Sequence, residues 1–162
     1  MLLVSDANIF IDFDVAGLTA ELFRLPHEIV VPDILYAEEL AGRHANLLKL
    51  GLKTRGLTGP QVNDAYRLQL KYREPSVNDL FALTLAMSLG CPLVTGDRRL
   101  RAAAEAEGLQ LLGTLTLTEH LFVHSIARLD DIRAAYQRMR AGGRRLPWNE
   151  VEAQLVRLAR GS

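Results

Sequence analysis

Leu2-Leu3-Val4-Ser5-Asp6-Ala7-Asn8 opens the chain. A short uncharged apolar run bounded by a polar turn reads as a buried strand, and Asp6 stands just past its end. Far downstream, Pro92-Leu93-Val94-Thr95 repeats the arrangement and runs into Gly96-Asp97. Strand ends on one edge of an open parallel sheet form the crevice where ligands bind, so both carboxylates fall on a candidate site.

Working outward from these two runs, Ile29-Val30-Val31 reads as a further short strand, and Leu109 to Leu112 as another. A short strand around Leu52 to Leu57 fits the glycine-rich stretch of Gly51, Gly56 and Gly59. Thr19 to Leu25 reads as one or two helical turns. Pro32, a good first-turn residue, starts a helix to about Arg43, and Pro60 starts one to about Tyr72. Ser76 to Leu89 is a strongly apolar helix closed by Gly90, and Arg98 to Glu107 an alanine-rich one. Beyond Thr116 the pattern is helical: Thr116 to about Ile126, Asp130 to Arg140, and Trp148 to Arg160, with Gly142-Gly143 separating the last two. Strands alternating with helices predict an α/β fold with a parallel sheet covered on both faces. Ile132, Tyr136 and Met139 share a helical face, so the tail is expected to pack as helices on the same domain. The expected division is 1–118 for the sheet domain and 119–162 for a helical extension.

The 162 residues suffice for one domain with a substantial core. Apolar residues make up 49% and charged residues 23%, an ordinary globular balance. A lone cysteine, Cys91, excludes an internal disulfide and suits a reducing compartment. No basic-then-apolar leader and no apolar run of ~20 residues is present, so a cytoplasmic protein without a membrane span is expected. Net charge is zero, but residues 120–162 carry eight arginines against four acids, leaving +4 there and −4 over residues 1–119. The densest positive stretch is Arg138 to Arg145. A basic flank beside an acidic centre suits a polyanion, although arginines also gather at helix C-termini because the dipole favours them there.

Two more acids, Glu38 and Asp79, lie where helices can deliver them to the same crevice. Each acid has an ordinary structural use. Asp6 can be a turn residue or cap a short helix starting near Ile9; Asp97 is a good N-cap; Ser76-x-x-Asp79 resembles a capping box; Glu38 can be solvent-exposed. Together those uses explain less. Asp79 enters the run Leu80-Phe81-Ala82-Leu83-Thr84-Leu85-Ala86, where an acid is costly unless paired or bound to a cation. Glu38 and Glu39 differ by ~100° around an α-helix, so only one of them is expected to face the site.

Ser5-Asp6-Ala7-Asn8, the Pro32-x5-Glu38 helix, Asn78 to Ala86, and Thr95-Gly96-Asp97-Arg98-Arg99-Leu100 resemble the successive motifs of PIN-domain nucleases, a family that includes the VapC toxins. The resemblance spans roughly residues 1–115 and leaves the basic tail outside it. It implies a PIN-like three-layer sandwich, a parallel central sheet flanked by helices, with a helical C-terminal extension. It also implies a divalent-metal-dependent ribonuclease in which Asp6, Glu38, Asp79 and Asp97 are both the catalytic residues and the ligands of Mg²⁺ or Mn²⁺. Asn8 and Thr95 match polar positions in support. RNA is then the substrate, cut to a 5′-phosphate and a 3′-hydroxyl, with an antitoxin protein as possible partner and a homodimer as possible assembly. No histidine is needed: His27, His44, His120 and His124 show no zinc-ligand spacing with Cys91.

Two other readings compete. An aspartate-nucleophile, phosphatase-like hydrolase wants Asp-x-Asp after its first strand, whereas this chain has Asn8 at the second position, and that reading leaves Glu38 and Asp79 unexplained. An inactive PIN-like module would bind RNA or a partner protein without cutting. For the tail, Trp148, Val151, Leu155 and Leu158 at helical spacing either cap their own core or form a dimer face.

Overall fold

The computed structural model describes residues 1–161. Five parallel strands form one sheet in the order β3-β2-β1-β4-β5: β1 Leu2–Ser5, β2 Glu28–Pro32, β3 Lys53–Arg55, β4 Leu93–Val94 and β5 Leu111–Leu112. In register, Leu3 pairs with Ile29 and Val4 with Leu93. The order steps outward from β1 through β2 to β3, then returns to the other side of β1 for β4 and β5. The strand order therefore reverses between β1 and β4, the place where an open α/β sheet leaves a crevice beyond its strand ends. The result is the α/β three-layer sandwich, a parallel sheet flanked by helices.

Helix α1 (Asn8–Ala16) follows β1 and α2 (Thr19–Leu22) follows α1. After β2, the short helix α3 (Asp33–Leu35) continues into a π turn over Tyr36–Leu40, in which the Ala41 amide donates to the carbonyl five residues back, Tyr36 (2.8 Å). Pro32 ends the strand and caps the helix rather than lying in its first turn, and the helix is shorter than the periodicity suggests. Next come α4 (Asn46–Leu50), α5 (Gly59–Lys71), α6 (Val77–Leu89) and α7 (Arg98–Ala106). The tail forms α8 (Thr114–Val123), α9 (Leu129–Ala141) and α10 (Trp148–Gly161).

Contacts divide the chain into two compact units. The first comprises Met1–Ile9 and Pro26–Gly113; the second comprises Phe10–Leu25 and the chain from Thr114. In the first, α6 lies against β1, β2 and β4 and against α5. Its residues Leu80 to Ala86 are all buried, as an apolar helix on a sheet must be. Gly90 closes it at φ 63°, a left-handed conformation that glycine reaches without strain. In the second unit α9 packs against α8 and α10, burying Ile132, Ala135, Tyr136 and Met139. Val151 and Leu158 of α10 are buried within this unit. Asp12 is buried there too, accepting from Arg144 Nε (2.6 Å) and Thr114 Oγ1 (2.8 Å). No helix among the described residues is long and apolar enough to cross a membrane.

Candidate active site

Each acid at the sheet edge is placed by a helix start. Asp6 leaves β1, its own amide donating to Val94 O of β4 (3.1 Å), and its Oδ1 accepts from the Ile9 amide (3.2 Å) at the start of α1. It is 1% exposed. Asp97 is the N-cap of α7, its Oδ1 accepting from the amides of Arg99 and Leu100 (both 2.9 Å). Asp79 is the third residue of α6 and completes a capping box: its Oδ2 accepts from the Ser76 amide (3.2 Å), while Ser76 Oγ accepts from the Asp79 amide (3.1 Å). The capping roles legible in the sequence are therefore all realised.

The same carboxylates are also linked across the fold. The Thr95 hydroxyl donates to Asp6 Oδ2 and accepts from the Asp97 amide (3.1 Å), so one buried threonine joins the acid after β1 to the acid after β4. Arg101 Nη1 holds the Thr95 carbonyl (2.6 Å) and reaches the Leu112 carbonyl (3.3 Å), fixing the end of β4. Burial raises the Asp79 carboxyl above its ordinary value; the Ser76 hydrogen bonds oppose this, and the Asp97 charge adds to it. Asp79 thus lies within the field of Asp97.

The helix after β2 brings two glutamates to the start of α6. Asn78 Nδ2 donates to Glu38 Oε2 (2.8 Å) and to Glu39 Oε2 (3.1 Å). The expectation that only one of the two could face the site is thus corrected. Both glutamates lie in the π turn, which is wider than the α-helix behind the ~100° offset, and their long side chains converge on one amide. Desolvation of its carboxylate raises Glu39 above its ordinary value, the Asn78 bond opposes this, and the charges of Asp79 and Glu38 raise it further. Glu39 is therefore the glutamate coupled to Asp79. Asn78 and Arg101 were given no role by sequence reasoning, and Glu39 was weighed only as the alternative to Glu38. The adjacent pair Asn78-Asp79 at a helix start was the available signal for the first.

The donor set is all oxygen, the chemistry hard divalent cations prefer. Two carboxylates are raised by burial and by neighbouring charges, Asp79 by Asp97 and Glu39 by Asp79 and Glu38, the condition a cation relieves. Yet among the described residues no three His, Cys, Asp or Glu side chains stand close enough together to hold a metal ion. Asp97 and Asp79 each turn one oxygen onto amides at their own helix starts. What the fold assembles is linked pairs, Asp6 with Asp97 through Thr95 and Glu38 with Glu39 through Asn78, with Asp79 electrostatically between them.

Comparison with known proteins agrees with this architecture. A family model described as a PIN domain matches residues 2–160, and the chain belongs to that family. The match runs through the basic tail, which the motif resemblance left outside. The chain is 34% identical over 111 residues to an RNA-free ribonuclease P of Aeropyrum pernix, covering 64% of this chain but only 49% of that relative. It thus spans about half the length of the curated relative. A PilT N-terminus domain protein from the archaeon Sulfolobus solfataricus shares the fold with TM-score 0.52 at 15% identity, over 75% of this chain and 95% of that one. The class that fold and family define is that of the PIN domains.

Proposed function

We propose that the protein is a divalent-metal-dependent endoribonuclease in which Asp6, Glu38, Asp79 and Asp97 would supply the metal-binding and catalytic carboxylates as linked pairs rather than as a preformed three-acid cage, with Glu39 beside Glu38. The observation that carries this reading is the Thr95 hydroxyl bonded to both Asp6 and Asp97 at the point where the strand order reverses. This threonine bridges two acids 91 positions apart in the chain. Held by these carboxylates, a Mg²⁺ or Mn²⁺ ion would supply Lewis acidity toward a phosphate and a water of lowered pKa. The chain's own contribution is to hold Asp6 rigid under Thr95, to keep Asp79 and Asp97 within each other's field, and to hold the glutamate pair through Asn78.

The finer form of this reading is the toxin of a toxin–antitoxin pair, acting in the cytoplasm and silenced by an antitoxin protein over the acidic crevice. The family resemblance supports it. Because Val151 and Leu158 are buried in their own unit, a homodimer would have to form through other surfaces.

The test joins two measurements on the full chain. Labelled RNA should be cut in the presence of Mn²⁺ and left intact by Asp6→Asn and by Asp97→Asn. Mn²⁺ should raise the melting temperature of the wild type and not that of Asp79→Asn. Cleavage at wild-type rate by both aspartate variants, or a thermal shift indifferent to Asp79→Asn, sinks the proposal.

A further inference from the structure

Four arginines occupy Arg138 to Arg145, and the structure divides them into two kinds. Arg138 Nη1 donates to the Ala16 carbonyl at the end of α1 (3.0 Å), and Arg144 pairs with buried Asp12 (2.6 Å). Those two pin the turn to α1. The other two, Arg140 and Arg145, are exposed, and among the described residues neither is ion-paired with a carboxylate. The guanidinium of Arg140 stands over the Trp148 indole, 5.1 Å from its centroid.

The turn that presents them is held by close contacts and backbone hydrogen bonds. A Cβ at Gly142 would meet Val15 Cγ1 at 2.7 Å, so only glycine allows this close an approach to α1. Gly143 sits at φ 76°, a left-handed conformation that side chains disfavour. The amides of Gly142, Gly143 and Arg144 all donate back to α9 carbonyls. Helix-dipole complementarity accounts for cations in the last turn of α9, but not for Arg145 beyond it.

We propose that Arg140, Arg145 and Trp148 form a docking surface for the backbone and bases of single-stranded RNA, in addition to the acidic site; this rests on the nuclease reading for its biological use. Guanidinium forks bind phosphates in bidentate fashion. A guanidinium lying on an indole makes a flat cationic and aromatic face on which unpaired bases stack. An acidic peptide would use the charge but has no need of that face, which is why RNA is the occupant of choice.

The experiment uses the full chain carrying Asp6→Asn in EDTA, with a short labelled single-stranded oligoribonucleotide followed by fluorescence anisotropy over a range of salt. Arg140→Ala combined with Arg145→Ala should weaken binding about tenfold and lower the salt slope by about 1.4, two phosphate contacts at ~0.7 each. Trp148→Leu should weaken binding while leaving the slope unchanged. Paired glutamine substitutions at 140 and 145, matched to the parent in melting temperature, keep the test valid if alanine disturbs the packing over Trp148. Wild-type affinity and slope in the arginine variants overturn the proposal. So does binding of poly-glutamate that depends on Arg140 and Arg145 while RNA binding does not, which would assign the face to an acidic protein. Wild-type protein that fails to cut RNA yet binds it through these arginines defeats the nuclease reading alone. Cleavage with arginine-independent binding defeats the docking surface alone.

Discussion

Thr95 donates its hydroxyl proton to Asp6 from the neighbouring strand end, and both residues are almost wholly buried. A buried carboxylate needs donors, and this one lies at the edge where catalysis is proposed. Thr95→Val keeps the shape and deletes the donor. It should lower stability by about 1–3 kcal/mol, the cost of stripping a partner from a buried polar group, and should reduce RNA cleavage. Denaturant unfolding alongside a cleavage assay checks both. An unchanged unfolding midpoint would show that the bond contributes nothing.

Asp79 gives a prediction with a sign. Its pKa is raised, first by burial and also by Asp97, so the folded state binds a proton more readily than the unfolded chain. The stability that this protonation contributes is fully present below the ordinary carboxylate value and is lost as pH rises through the raised one. Asp79→Asn stays neutral throughout and keeps an oxygen for the Ser76 amide. The metal-free variant should therefore melt above the wild type at neutral pH, with the gap closing as pH falls below the usual aspartate range. Parallel melting curves at all pH values would contradict the raised carboxyl.

Tyr136 governs the alkaline limb. Burial pushes its hydroxyl up to about 12, with a lesser contribution from the Glu119 charge. The unfolded tyrosine ionises near pH 10 and the folded one resists, so stability is intact below about 10 and falls by roughly 3 kcal/mol by about pH 12. Tyr136→Phe should lack this alkaline loss. It should also start about 1–2 kcal/mol lower, because Gln154 Oε1 loses the Tyr136 hydroxyl. Urea unfolding of both proteins from pH 8 upward, within the time before base damage, decides the matter.

Arg144 and Asp12 form the most buried ion pair of the second unit among the described residues, with side chains 25% and 8% exposed. Arg144→Ala leaves Asp12 buried with Thr114 as its remaining side-chain donor among the described residues and should destabilise by about 3–5 kcal/mol. Replacing both partners with apolar residues of similar volume should recover most of that loss. A double variant no better than the single one would mean that the arginine acts through packing instead.

The strands at Leu2, Ile29 and Leu93 were legible because an apolar run between polar turns has few other uses in a soluble chain. The capping roles of Asp79 and Asp97 were legible for a similar reason, since they depend on residues three positions apart or fewer. The helix α1 was harder to read. Its buried face includes Asp12, whose partners Thr114 and Arg144 lie more than 100 positions away, so the charge interrupted the apolar pattern that would have marked it. The π turn likewise left no periodic trace over five residues, and with it went the convergence of Glu38 and Glu39 on Asn78.

Local sequence alone determined where the elements start and which carboxylates cap them, because helix starts and strand ends are decided by neighbours within a turn. Which acids meet was settled only by tertiary structure. The reversal of strand order beside β1 brings Thr95 to Asp6, and the α6 start brings Asn78 to the glutamates. Such meetings depend on sheet order and helix packing, which act between residues that the chain holds far apart.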